Sequence, residues 1–168
     1  MSVLKRTQLY GVHVAAGAAM VDFGGWEMPI EYPSKIVAEH LYTRHACSLF
    51  DVSHMGRVLV DGPEAVPFLQ HVLSSNVSAL DLNQAQYAII PNERGGAVDD
   101  AYLYRFEEER FLLVVNAANT DKDLAHLNEQ IKAYDAKMTV ITGDWAAIAV
   151  QGPKAKEVLQ VLSGGEAV

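Results

Sequence analysis

The chain has 168 residues, half of them apolar, which suffices for the packed core of about one domain. Thirteen Lys and Arg stand against twenty-one Asp and Glu, a formal charge of −8, which argues against nucleic acid and against an anionic membrane surface as partners, because phosphate binding needs clustered positive charge. The single cysteine, Cys47, excludes an internal disulfide and any multi-cysteine metal site. No apolar run approaches the roughly 20 residues of a membrane span. Met1-Ser2-Val3-Leu4-Lys5-Arg6 leads straight into patterned sequence, with no presequence expected. The expectation is a cytoplasmic α+β or α/β protein. Its charge is uneven: residues 1–57 are neutral, and residues 58–168 carry the whole −8.

In chain order, the stretch Gly24–Pro33 is rich in turn formers and cannot be one regular element. Ser34 reads as the N-cap of a helix carrying Ile36, Val37, His40 and Leu41, with Glu39 facing water. An internal repeat follows. Leu59-Val60-Asp61-Gly62-Pro63-Glu64-Ala65 recurs as Ala149-Val150-Gln151-Gly152-Pro153-Lys154-Ala155, an offset of 90 residues. Each copy reads as strand, Gly-Pro corner and amphipathic helix: Gly permits the sharp exit, and Pro suits the start of a helix, where its missing N–H is not needed. Ala65, Phe68, Leu69 and Val72 share one helical face, and so do Ala155, Val158, Leu159 and Leu162. Between the copies, Tyr87–Ile90 reads as a strand, Pro91–Gly96 as a turn, Ala101–Phe106 as the next strand and Glu107–Arg110 as a solvated hairpin tip. Phe111–Val115 is a continuous apolar run, expected as a buried central strand. Thr120 caps a helix with core face Leu124, Leu127 and Ile131, and Met138–Ile141 and Ala146–Val150 are two more strands. About six strands and four helices result. The predicted fold is α+β, a mostly antiparallel sheet with crossing helices in a ferredoxin-like or split βαβ arrangement.

Few residues carry chemistry on pattern alone. Asp99 and Asp100 read either as solvated carboxylates of a turn or as a strand pair of which the pleat sends only one into a pocket. A carboxylate held there against an apolar sheet face would seek a cationic or N–H-bearing ligand. Asn116, at the end of the apolar run, either caps turn backbone or reads the edge of a polar heterocycle. Asp51, Ser53 and His54 do not make a hydrolytic triad, since adjacent extended residues face opposite ways and no nucleophile elbow is present. His40 and His45 are five apart rather than the four one helix face needs, so no metal site is expected. Cys47 reads as a small buried hydrophobe, and Trp26 and Trp145 as core or pocket wall.

Five motifs, in order, carry a resemblance. Val21-Asp22-Phe23-Gly24-Gly25-Trp26-Glu27-Met28-Pro29, Phe50-Asp51-Val52-Ser53-His54-Met55-Gly56, Gly95-Gly96-Ala97-Val98-Asp99-Asp100, Val114-Val115-Asn116-Ala117-Ala118-Asn119 and Val150-Gln151-Gly152-Pro153 are similar to segments of the glycine cleavage system T-protein (aminomethyltransferase) family. The likeness covers nearly the whole chain but only the N-terminal part of the family's length, so the chain is expected to be truncated relative to it, and this part alone to be inactive. The resemblance implies a folate-binding domain beginning in residues 51–168, with residues 1–50 as a segment packing on it. It implies transfer of a one-carbon unit from the aminomethyl-lipoyl arm of the H-protein to tetrahydrofolate, with release of ammonia and no metal. It places the catalytic carboxylate at Asp100 and the pterin-lining positions at Met55, Tyr87, Val114 and Asn116. Tyr87 stands where the family commonly has an aliphatic residue. Donor specificity stays open at this point: a folate-dependent demethylase, the folate half of a dimethylglycine or sarcosine oxidising enzyme, and a non-catalytic folate-binding module share the same pattern.

Overall fold

The computed structural model describes residues 3–165. The elements in chain order are α1 (Tyr10–Ala15), β1 (Ala19–Phe23), β2 (Trp26–Glu31), α2 (Ile36–His45), β3 (Ser48–Asp51), β4 (Gly56–Asp61), α3 (Ala65–Val72), β5 (Ala85–Pro91), β6 (Ala97–Glu107), β7 (Arg110–Val115), α4 (Thr120–Gln130), β8 (Lys137–Val140), β9 (Ile148–Gln151) and α5 (Ala155–Leu162). The fold is α+β with antiparallel sheets, as the sequence predicts. No described helix is long and apolar enough to cross a membrane. The chain divides into two compact units, Met1–His54 with Trp145–Val168, and Met55–Asp144. This grouping differs from the expected division at residue 50, because β9 pairs with β3 and so draws the residues after 144 to the N-terminal ones.

The second unit is a five-stranded sheet in the order β5-β6-β7-β4-β8. Strands β7 and β8 both run antiparallel to β4 between them, so β7-α4-β8 is the expected split βαβ crossover. Period-two alternation sorts the side chains. Val58 and Val60 of β4, Ala88 and Ile90 of β5, Ala101 and Leu103 of β6, and Phe111, Leu113 and Val115 of β7 are buried on one face. That face is covered by Ala65, Phe68, Leu69 and Val72 of α3 and by Leu127 of α4, with Leu124 and Ile131 half-buried beside them. Each fully buried side chain of this size contributes about 1.5–3 kcal/mol. The other face is open, with Tyr87, Tyr102 and Tyr104 exposed. Phe111–Val115 is therefore buried on one side only: Leu112 and Val114 point to the open face and are half-buried.

The first unit holds the β1–β2 hairpin, the β3–β9 pair and α1, α2 and α5. The stretch expected to be irregular contains a strand. Gly24 and Gly25, at φ +59° and +86°, make a two-residue turn between Phe23 and Trp26 that suits the twist of a hairpin, and the two-stranded sheet tolerates Pro29. Ser34 is not the N-cap of α2. Lys35 takes that position at φ +70°, while the Ser34 hydroxyl (3.1 Å) and the Tyr32 N–H (2.8 Å) both donate to Glu39 Oε1, so Glu39 is engaged rather than simply solvated. Cys47 is only half-buried and Trp145 is exposed. Asp51 belongs to a buried network instead of a triad. Its Oδ2 accepts from Thr7 Oγ1 (2.7 Å) and His13 Nε2 (2.9 Å), its Oδ1 accepts from the Ser53 N–H (2.9 Å), and the Tyr32 hydroxyl donates to His13 Nδ1 (2.8 Å). Burial pushes the Asp51 carboxyl up, and the bonds from His13, Ser53 and Thr7 outweigh that and hold it below the ordinary range.

The repeat holds in three dimensions. Gly62 and Gly152 leave β4 and β9 at φ +130° and +123°, a region L side chains rarely adopt. In both, the alanine three residues on donates its N–H to the glycine carbonyl at 3.0 Å (Ala65 to Gly62, Ala155 to Gly152). In both, the residue two after the glycine donates to a carbonyl beside the neighbouring strand, Glu64 to Asp135 O and Lys154 to Ala46 O, each at 3.1 Å. The same backbone carbonyls sit where a Cβ on either glycine would stand. The helices differ: α3 has four buried side chains and α5 has none among the described residues, with Leu162 exposed.

Candidate functional site

The site is a corner of the five-stranded sheet, where β6 and β7 run out toward the N-terminus of α4. The β5–β6 pairing sets Ile89 opposite Asp100 and Ile90 opposite Asp99. Ile90 lies in the core, so Asp99 faces the helices, and Asp100 faces the open side with Tyr87 and Tyr102. The register is held by the turn before it. Asn92 Oδ1 accepts the N–H groups of Arg94 (2.9 Å) and Gly96 (3.0 Å), and β6 begins at Ala97, four residues earlier than its apolar pattern suggests. Asp99 and Asp100 are thus half-buried strand residues and not solvated turn residues.

Asn116 joins the two faces. It sits just past the end of β7, and its Nδ2 donates to Asp100 Oδ1 (2.7 Å) and Asp99 Oδ1 (3.1 Å), with Asp100 O at 3.4 Å. Its own carbonyl accepts from Thr120 Oγ1 (3.0 Å) and the Asn119 N–H (3.1 Å), so the first turn of α4 fixes the backbone that carries the amide. On the open face the Tyr87 hydroxyl, 57 % of the residue being exposed, is shifted upward by its hydrogen bond to Asp100.

Beneath the sheet Asp99 meets Asp123 of α4, which is fully buried. Burial alone would push Asp99 up. Bonds from the Asp100 N–H, Asp123, Asn119 and Asn116 outweigh it and hold the carboxyl at about 2. Asp123 is pushed the other way, to about 7, by burial first and then by its hydrogen bond with Asp99 and the charge there, with Lys122 opposing. Lys122 Nζ is 3.7 Å from Asp123 Oδ1 and is occupied by Val98 O at 2.6 Å. Burial and the neighbouring charge thus favour a neutral Asp123 beside an ionised Asp99.

Across residues 9–168 the sequence matches the family described as the GCVT N-terminal domain. The chain belongs to this family. It is 50% identical over 159 residues to the aminomethyltransferase of Deinococcus deserti, which covers 95% of this chain and 44% of that protein. It is likewise 50% identical over 160 residues to an aminomethyltransferase of Thermus thermophilus, 95% of this chain and 46% of that protein. A crystal structure of the glycine cleavage system aminomethyltransferase T from Bartonella henselae superposes with a TM-score of 0.92 at 39% identity, over 98% of this chain and 46% of that one. The chain therefore spans about half the length of the relatives it matches.

In this GCVT N-terminal domain Tyr87, Asp100 and Val114, three of the five residues singled out from sequence, share the open face, and Asn116 and Met55 stand at its end. Val114 pairs with Tyr102 on β6 and with Arg57 on β4, on the face that carries Asp100. Met55, half-buried, precedes Gly56, which pairs with Val115, so its register position is level with Asn116. Two residues were missed. Arg57 is a buried cation on the Val114 row, its Nη2 donating to Thr142 O at 2.6 Å. Its place was readable from the alternation of β4, where Val58 and Val60 claim the core face. Asp123 was not readable: an acidic residue three after Thr120 is what any helix start favours, and nothing in the sequence marks it as buried.

Proposed function

We propose that the open face of this sheet is the pterin wall of a tetrahydrofolate-dependent aminomethyltransferase of the glycine cleavage system. The observation that carries this reading is the Asp100 carboxylate, bonded by Asn116 on a face that also carries exposed tyrosines, half-buried Ile89 and Val114 and the buried Arg57. A reduced pterin is a flat ring with apolar faces and N–H groups on its edge, and these residues supply aromatic and aliphatic contact beside an acceptor. The names of the relatives support the reaction class.

In the reaction, the aminomethyl carbon is carried as a thioether on the lipoyl arm of the H-protein. Its bonds to sulfur and to nitrogen break, and ammonia and the dithiol leave. The carbon forms bonds to nitrogens 5 and 10 of tetrahydrofolate, giving methylenetetrahydrofolate. Asp100 stabilises the positive charge that grows on nitrogen 5 as it attacks. Asn116 keeps the carboxylate aimed, and Tyr87 closes the open side of it. The test is turnover with aminomethylated H-protein and tetrahydrofolate, using a protein that carries this chain at the length of its relatives, with methylated amines as alternative donors in parallel. Transfer only from the methylated amines would replace the aminomethyl donor in this reading.

A further inference from the structure

The buried carboxyl pair has no role in the reaction as written, and burying it is costly. Both oxygens of Asp123 and Oδ2 of Asp99 are buried with no hydrogen-bond donor of the protein at bonding distance. The nearest cation, Lys122, stands 3.7 Å off and already serves Val98 O. Two carboxylates cannot sit together in such a place, whereas one proton between them satisfies both. The charged groups around Asp123 are Asp99 from β6, with Asp100 the next residue along, and Lys122 from its own turn. The segment after β7 brings the neutral amides of Asn116 and Asn119 to Asp99, and α3 buries only apolar side chains.

We propose that Asp123 is a positioning residue for Asp100. Its carboxyl supplies the proton that lets Asp99 remain an anion beneath the sheet, and that anion holds one hydrogen of the Asn116 amide so that the other is aimed at Asp100 on the open face. The chain of contacts is Asp123 to Asp99, Asp99 Oδ1 to Asn116 Nδ2 at 3.1 Å, and Asn116 Nδ2 to Asp100 Oδ1 at 2.7 Å. Loss of the proton from Asp123 puts two like charges side by side, drives Asp99 from its place and releases the amide from one of its two anchors. The direction agrees with the raised titration of Asp123 and the lowered titration of Asp99. This rests on the reading of Asp100 as the pterin-facing carboxylate, but its first test does not.

That test follows the carboxyl carbons of Asp99, Asp100 and Asp123 and the side-chain nitrogen of Asn116 by NMR in the ligand-free chain, from about pH 5 to about pH 9. The expected result is a step in the Asp123 carboxyl carbon near 7, with the Asn116 nitrogen and the Asp100 carboxyl carbon moving at the same midpoint. Asp123→Asn, whose amide still donates to Asp99, abolishes the step. An Asp123 that is a carboxylate throughout the range, or an Asn116 nitrogen that ignores its titration, overturns the proposal. The second arm measures turnover at the relatives' length. Asp123→Asn is expected to exceed Asp123→Ala by about tenfold or more in kcat and to lack the decline of the parent protein above neutral pH. Equal rates in the two variants, with both folded, also overturn it. A positive first arm with an Asp100→Asn variant that still turns over normally would sink the folate reading and leave the carboxyl relay standing.

Discussion

In the proposed reaction Asp100 is the residue that carries the charge, and its neighbours say what a substitution does. Asp100→Asn keeps the shape and the contact with Asn116 but removes the charge, so transfer is expected to fall about a hundredfold or more, mostly in kcat, since the charge matters most as bonding changes. Steady-state kinetics of the variant at the relatives' length, with folding checked by circular dichroism, measures this. A loss of only a few-fold would remove Asp100 from the mechanism. Stability should also follow pH through the buried pair. Asp123 titrates near 7 in the folded protein and near its ordinary value when unfolded. Between those values the folded state keeps a proton the unfolded chain has released, so stability falls as pH rises through the window. Asp99 acts oppositely: held at about 2, it adds stability that is present above its unfolded value and lost as pH falls toward 2. Urea midpoints at about pH 5 and about pH 8 should therefore drop in the parent chain and drop less in Asp123→Asn. An equal drop in both would contradict the shared proton.

At the level of elements, legibility tracked how local the determinant is. The Gly-Pro corners were visible because the whole device, from strand exit to helix start, lies within a few residues. The face of α3 was visible because Ala65, Phe68, Leu69 and Val72 all enter one core. The β1–β2 hairpin was hidden because Gly24, Gly25 and Pro29 read as punctuation, although the glycines form the turn and the proline sits within the strand. The cap of α2 was misread because Ser34 looks right in sequence, while the chain puts Lys35 in the left-handed region and turns the serine to Glu39. The acidic pair was half visible: the pleat sorted Asp99 from Asp100, but Asp123 arrives from another element. A glycine at a corner and a glycine inside a helix give opposite predictions. Gly62→Ala places a Cβ 2.8 Å from Asp135 O at φ +130°, so it should destabilise by about 2 kcal/mol or more. Gly11, inside α1 with open space around it, should gain about 0.5–1 kcal/mol as alanine. Urea unfolding of both variants decides; a neutral Gly62→Ala would mean the corner relaxes freely.

For the whole molecule, the open face sets the limit of what this chain does alone. With Tyr87, Tyr102 and Tyr104 exposed, water reaches the Asp100 corner, whereas the proposed transfer calls for a closed site. Residues 1–168 by themselves should transfer at least about a hundredfold more slowly than a protein of the relatives' length. Comparable rates in a side-by-side assay would show that this wall suffices. The strand order has a further consequence, in time rather than in space. Tyr87, Asp100 and Asn116 lie on or beside β5, β6 and β7, three strands joined by short connections, whereas β4 must slot between β7 and β8 to bring Met55 and Arg57 alongside. Short connections close fast and distant pairings close late. During refolding, amides of the β5–β6–β7 run should gain protection in pulse-labelled hydrogen exchange before those of β4, so the acidic corner is assembled first and its cationic neighbour, Arg57, is delivered later.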